Sequence, residues 1–131
     1  MEPGPLSVLK RTRPIAVIDD DFRVRESLCN LLSSYGYRSE AYASAELFLA
    51  SGGLSNRLCV VADVQMRSKR MTGLALLEKI RSVQSDLPVI IITGRPSNHP
   101  ESFYLDKGAS GFFRKPVDGQ ALMAMVEHLS A

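Results

Sequence analysis

Residues Leu87–Gly94 read LPVIIITG. Val89–Ile92 are four successive β-branched residues held between a proline and a glycine. Such a run is far too short to cross a membrane, which takes about 20 apolar residues. It shows no polar alternation, so a strand made of it has no side to offer to water and must be covered on both faces. That requirement describes a parallel strand flanked by helices, and the strand ends on a hydroxyl, Thr93.

Working outward, the same rhythm repeats. Upstream, TGLALLEKIRSV (72–83) is an amphipathic helix with Leu74, Leu77 and Ile80 turned inward, and LCVVAD (58–63) is a second apolar strand ending in acid. Ser44 caps AELFLA (45–50), which Gly52-Gly53 ends, and YRSEAY (37–42) alternates like a partly exposed strand. FRVRESLCNLLSSYG (22–36) places Val24, Leu28, Leu31, Leu32 and Tyr35 on one helical face, with Gly36 as its stop; IAVID (15–19) precedes it. Downstream, Pro100 opens a short helix as far as Lys107 with Gly108 as its left-handed cap. SGFFRKP (110–116) is a last short strand and DGQALMAMVEHLSA (118–131) a last helix. Five strands alternate with five helices, which predicts an α/β fold with a doubly wound parallel sheet. Residues 1–13, basic and proline-rich, are expected to form a disordered or loosely attached leader before one domain over 14–131.

Composition excludes several classes. The net charge of +2 is too mild to argue for nucleic acid, and the cations come mostly singly apart from Lys10–Arg13 and Arg67–Arg70. No apolar run suits a membrane span or a signal peptide, so the expected location is the cytoplasm, away from membranes. Cys29 and Cys59 lie inside apolar segments without metal or redox spacing and read as reduced core residues.

The polar residues that interrupt the strands share one edge. Asp19 and Asp20 end the first strand, Asp63 the third and Thr93 the fourth, and Lys115 follows the fifth. In doubly wound sheets ligands bind beyond the carboxyl ends of the strands, where the strand order switches. The AVIDDD stretch (16–21) raises a physical question of its own, because crowded carboxylates repel and each loses hydration beside its neighbours.

The motifs VIDDD, VVADVQM, IITGR and GASGFFRKP stand in order over about Ile15 to Leu129. In this the chain resembles the receiver domains of bacterial response regulators, the CheY-like superfamily, and within it the FixJ-type subgroup. The resemblance implies a flavodoxin/CheY-like sheet of order 2-1-3-4-5 with five helices. It implies that Asp63 accepts a phosphoryl group from a sensor histidine kinase, and that the domain is no enzyme beyond its own phosphorylation and dephosphorylation. In the family the first acid of the pair stands five positions before the first inward residue of the first helix. Val24 therefore selects Asp19 and Asp20, leaving Asp21 at the helix start, where its charge suits the dipole. By resemblance Asp20, Asp63 and the backbone carbonyl of Gln65 bind Mg²⁺ (or Mn²⁺) directly, with Asp19 acting through water; an all-oxygen set suits either ion. Thr93 and Lys115 would hold the phosphoryl group, Lys115 aimed by a cis bond to Pro116. Phe112 would be the switch aromatic, and Gln65 and Arg95 would tune the lifetime of the phosphoryl group. The face made by the fourth helix, fifth strand and fifth helix would serve a homodimer or a docked partner, with no direct nucleic-acid contact.

One departure stands out. The stretch DVQMRSKRMTG (63–73) has Arg67 where the family commonly has proline, and it is two residues longer before Gly73. Two other functions therefore stay in view. One is a degenerate receiver acting as a phosphorylation-independent binding module. The other is a haloacid-dehalogenase-like phosphatase using the Asp-x-Asp pattern within DDD, a reading that leaves Asp63 without a role.

Overall fold

A computed structural model describes residues 13–52, 54, 56–66, 71–83, 86–94 and 99–130. The strands are β1 (Ile15–Ile18), β2 (Ser39–Tyr42), β3 (Cys59–Asp63), β4 (Val89–Thr93) and β5 (Gly111–Arg114). Between and after them run α1 (Phe22–Ser34), α2 (Ala45–Ala50), α3 (Gly73–Val83), α4 (Glu101–Asp106) and α5 (Gly119–Ser130). All strand pairs are parallel and the order is β2-β1-β3-β4-β5, as the sequence implies. Of the expected leader, only Arg13 lies among the described residues, and it is exposed.

The period of two along each buried strand divides the core in two. Ala16, Ile18, Val60, Ala62, Val89 and Ile91 face α2, α3 and α4. Ile15, Val17, Cys59, Val61, Ile90 and Ile92 face α1 and α5. Every residue of β1, β3 and β4 is buried, which is why these strands read as unbroken apolar runs. Burial pushes the Cys59 thiol up to about 12, consistent with a core residue, while Cys29 is only half-buried against the same cluster.

Side chains close the helix starts, each accepting from a free first-turn N–H. Asp21 accepts from the Arg23 N–H (2.9 Å), Ser44 from Leu47 (3.1 Å), Thr72 from Ala75 (3.1 Å) and Asp118 from Gln120 (3.0 Å). One expected face is corrected, and another is shifted at its margin. Tyr35 is 40 % exposed, because the chain turns at Gly36 (φ 85°) and Tyr37 takes the interior place, its hydroxyl 3.0 Å from Ser130 Oγ. In α3 the buried stripe is Gly73, Leu76, Leu77 and Ile80, with Leu74 half-buried at its margin. A stripe at i, i+3, i+4 and i+7 tracks the helix turn, whereas Leu74, Leu77 and Ile80 drift around it.

Candidate functional site

Parallel pairing brings the strand-end residues together. Asp63 lies beside Ile92 on β4, and the Asp19 N–H continues the ladder to the Tyr42 carbonyl (3.2 Å). The Lys115 N–H reaches the Thr93 carbonyl (2.8 Å), and the Lys115–Pro116 peptide bond is cis. Asp19, Asp63 and Thr93 are buried; Asp20 and Lys115 are half-buried.

Lys115 Nζ donates to Asp19 Oδ2 and to Asp63 Oδ2, both at 2.8 Å. The remaining carboxylate oxygens accept backbone N–H groups: Asp19 Oδ1 from Asp21 (2.9 Å) and Asp63 Oδ1 from Gln65 (2.9 Å). Charge-assisted bonds of this kind are what make buried carboxylates tolerable. Burial, with the charge of Asp63, raises the Asp19 carboxyl above its ordinary value against the opposing pull of Lys115 and the Asp21 N–H. Burial would lower Lys115, but bonds to both carboxylates outweigh it and leave the ammonium raised.

One carboxylate oxygen each from Asp19, Asp20 and Asp63 lies within 4.8 Å of the others. Three hard oxygen donors at the mouth of an open cleft fit a small divalent cation that keeps some of its waters. The cleft, about 730 Å³, is lined by Asp20, Asp21, Asp63, Gln65 and Lys115, with Gly94 beside them and Phe22 and Met66 as apolar rim. Thr93 is buried at the end of β4.

Phe112 is half-buried one strand away on β5, its ring 5.4 Å from that of Tyr104 and 5.3 Å from the Arg114 guanidinium. Arg95 and the Arg67–Arg70 segment lie outside the described residues.

Three contributors are not evident from the sequence. Phe22 stands 63 % exposed at the rim, with the Arg25 guanidinium 5.7 Å from its ring centre. The same guanidinium donates to the Asp19 carbonyl (2.7 Å), fastening the end of β1 to α1. Gly73 lets α3 start against the strand end: a Cβ there would press on the Asp63 carbonyl and come within 2.8 Å of Val64 Cα. A periodicity argument marks core faces and cannot register contacts of this kind.

Comparison with known proteins fits the geometry. The response regulator receiver domain family matches residues 15–127. The transcriptional regulatory protein FixJ of Azorhizobium caulinodans is 38 % identical over 113 residues, which is 86 % of this chain and 53 % of that protein. Its namesake from Bradyrhizobium diazoefficiens is 39 % identical over 114 residues, 86 % and 54 % of the two chains. The chain thus spans about half the length of these curated relatives. Among solved structures, the receiver domain of NtrX from Brucella abortus superposes with a TM-score of 0.81 at 28 % identity, covering 88 % of this chain and 97 % of that one. The Francisella response regulator 1452 receiver domain shares the fold at a TM-score of 0.81 and 22 % identity, over 91 % and 97 % of the two chains. With the family matched over nearly the whole domain and the acidic cluster at its expected edge, the chain belongs to the response regulator receiver domains of two-component systems, with FixJ proteins among its relatives.

Proposed function

We propose that Asp63 is the phosphoacceptor of this domain and that the donor is a phosphohistidine on a sensor kinase. The observation that carries this is the triad in which one ammonium serves two buried carboxylates beside a third. An Asp63 carboxylate oxygen attacks phosphorus, the P–N bond of the donor breaks, and the imidazole leaves. Mg²⁺ or Mn²⁺, held by Asp20, Asp63 and the Gln65 carbonyl with Asp19 acting through water, would neutralise the phosphoryl oxygens. Lys115 already neutralises Asp63, and follows the charge outward onto the phosphoryl group. Thr93 donates its hydroxyl to a phosphoryl oxygen, and Phe112 moves in behind it, altering the α4–β5–α5 face for a homodimer or a docked partner. Gln65 and Arg95 set how readily water reaches the phosphoryl group, and the cis bond at Pro116 aims Lys115. The activity is self-modification in the cytoplasm, by a domain spanning 14–131.

Acetyl phosphate with Mg²⁺ should add one hydroxylamine-labile phosphoryl group, seen by intact mass, and Asp63→Asn should abolish it. An Asp63→Asn variant that labels as wild type would sink the assignment. The degenerate-module reading predicts no labelling at all. A phosphatase would turn over phosphoesters repeatedly, a reading the family match does not favour.

A further inference from the structure

α4 has six residues, and Tyr104 is the only one of them that is buried. The helix is therefore anchored to the core chiefly through this side chain, 2 % exposed and packed among the residues on the α2–α4 side of the sheet, with half-buried Phe103 against the same cluster. The Tyr104 ring lies 5.4 Å from the ring of Phe112, with their planes 22° apart. On its other contacts Tyr104 meets the Phe103 ring edge-on (5.3 Å, 87°), and Phe103 in turn stacks on His99 at 3.8 Å. Phe103 is half-buried and His99 exposed, so the rings form a continuous path from the core to the surface.

We propose that Tyr104 is the positioning residue through which Phe112 and α4 are coupled. Protein interiors are close-packed and do not deform smoothly. With Tyr104 filling the core beside it, Phe112 has no void to enter. An inward rotation of Phe112 displaces the Tyr104 ring, and because that ring is the one fully buried side chain of α4, with Phe103 stacked edge-on against it, the helix loosens with it. The reverse holds too: loosening Tyr104 favours inward Phe112, and by linkage favours whatever binds Asp63 in that state. This rests on the switch role proposed above for Phe112, and adds the route by which that switch reaches α4.

The test uses the whole chain labelled with 4-fluorophenylalanine, with beryllofluoride and Mg²⁺ as the phosphoryl mimic. The Phe112 signal is assigned by Phe112→Leu. In the wild type, the mimic should shift the Phe112 resonance and speed amide exchange across α4 by about tenfold, within the usual range of allosteric coupling. In Tyr104→Leu, which keeps an apolar anchor but removes the ring, the unliganded Phe112 signal should already lie toward the liganded position. The mimic should also bind about tenfold more tightly. Tyr104→Phe, which keeps the stack, should lie closer to the wild type than Tyr104→Leu in both readouts. A wild-type Phe112 signal that ignores the mimic overturns both the switch reading and this one. A wild type that responds while Tyr104→Leu matches it in signal and affinity overturns the Tyr104 coupling alone. The α4 exchange measured in the wild type decides the matter even if the leucine variant unfolds, since α4 amides unchanged by a mimic that moves Phe112 contradict the coupling.

Discussion

Lys115 and Arg81 are cations at opposite ends of the same sheet. Among the described residues, the Lys115 ammonium at the carboxyl end bonds side-chain carboxylates, those of Asp19 and Asp63. The Arg81 guanidinium, near the amino ends of β4 and β5, bonds backbone carbonyls among the described residues. Its Nε and one terminal nitrogen reach Gly108 O (3.0 and 2.6 Å) and the other reaches Leu87 O (2.6 Å). The electrostatics differ accordingly. Burial lowers Arg81 below its ordinary value, opposed only by the charge of Asp86, while the bonds from two carboxylates leave Lys115 raised. Carbonyls are fixed partners that no chemistry will alter, and a cation devoted to them is a structural clamp. Carboxylates can take a metal ion or a phosphoryl group, so under the proposed function the cation placed among them serves a site whose charge changes.

Replacing each cation with methionine should sharpen that contrast. Lys115→Met strands two buried carboxylates and should cost about 3 kcal/mol in urea unfolding at neutral pH without divalent ions. Added Mg²⁺ should recover part of the loss, because binding to the native acids alone stabilises the fold. Arg81→Met should cost about 2 kcal/mol, leaving carbonyls without their charged donor. That loss should be indifferent to Mg²⁺, and labelling of Asp63 should persist. If Mg²⁺ rescued both variants alike, the distinction between site and clamp would fail.

A smaller effect is expected at Gly73. Alanine there forces its Cβ against the Asp63 carbonyl and Val64 Cα, both backbone and unable to swing away. A destabilisation of about 1–3 kcal/mol, typical of overpacking, should accompany slower labelling by acetyl phosphate. A Gly73→Ala variant with full stability and wild-type labelling would show that α3 shifts freely from β3.

How much of this was legible follows from what each residue contacts. Asp19, Asp63 and Thr93 could be placed because each breaks an apolar strand, and parallel order then makes neighbours of strand ends far apart in sequence. Lys115 was legible through its place just after the fifth strand and the RKP stretch that carries the family resemblance. Arg81 was not, since an arginine in the last turn of an amphipathic helix reads as solvated, and its partners Leu87 and Gly108 offer only backbone. Tyr104 was hidden inside a helix too short to show a period. Tyr35 was misplaced because the face continues geometrically while the chain, turning at Gly36, does not.

The acidic limb of stability should separate Asp19 from its surroundings. Its folded pKa is raised above 3.8, so the protonated form is the one the fold prefers. The stability it contributes is complete below pH 3.8 and is lost as pH rises through the raised folded value. Wild type minus Asp19→Asn should therefore grow as pH falls through that window. With the carboxylates ionised, the Lys115 contribution, raised from 10.5, is present through neutral pH and fades in alkali above that value. A difference curve that stays flat through the acidic window would mean that Lys115 cancels the burial of Asp19 completely.

The smallest expected effect concerns Arg67, Lys69 and Arg70, which follow Asp63 closely in the chain but lie outside the described residues. The segment itself, Arg67–Arg70, reads RSKR and so carries three cations and no acid. Cations of this sort act on encounter with an anionic donor more than on the bound state. Their reach is limited to about 10 Å at ~0.1 M salt. Exchanging all three for glutamine should slow labelling of Asp63 at low ionic strength, while Mg²⁺ affinity changes only modestly. Raising the salt should close the gap, because screening removes from the wild type the same attraction the substitutions remove. A rate deficit that survives high salt would instead mean that the segment shapes the cleft beside Asp63, and equal rates at low salt would mean that it does neither.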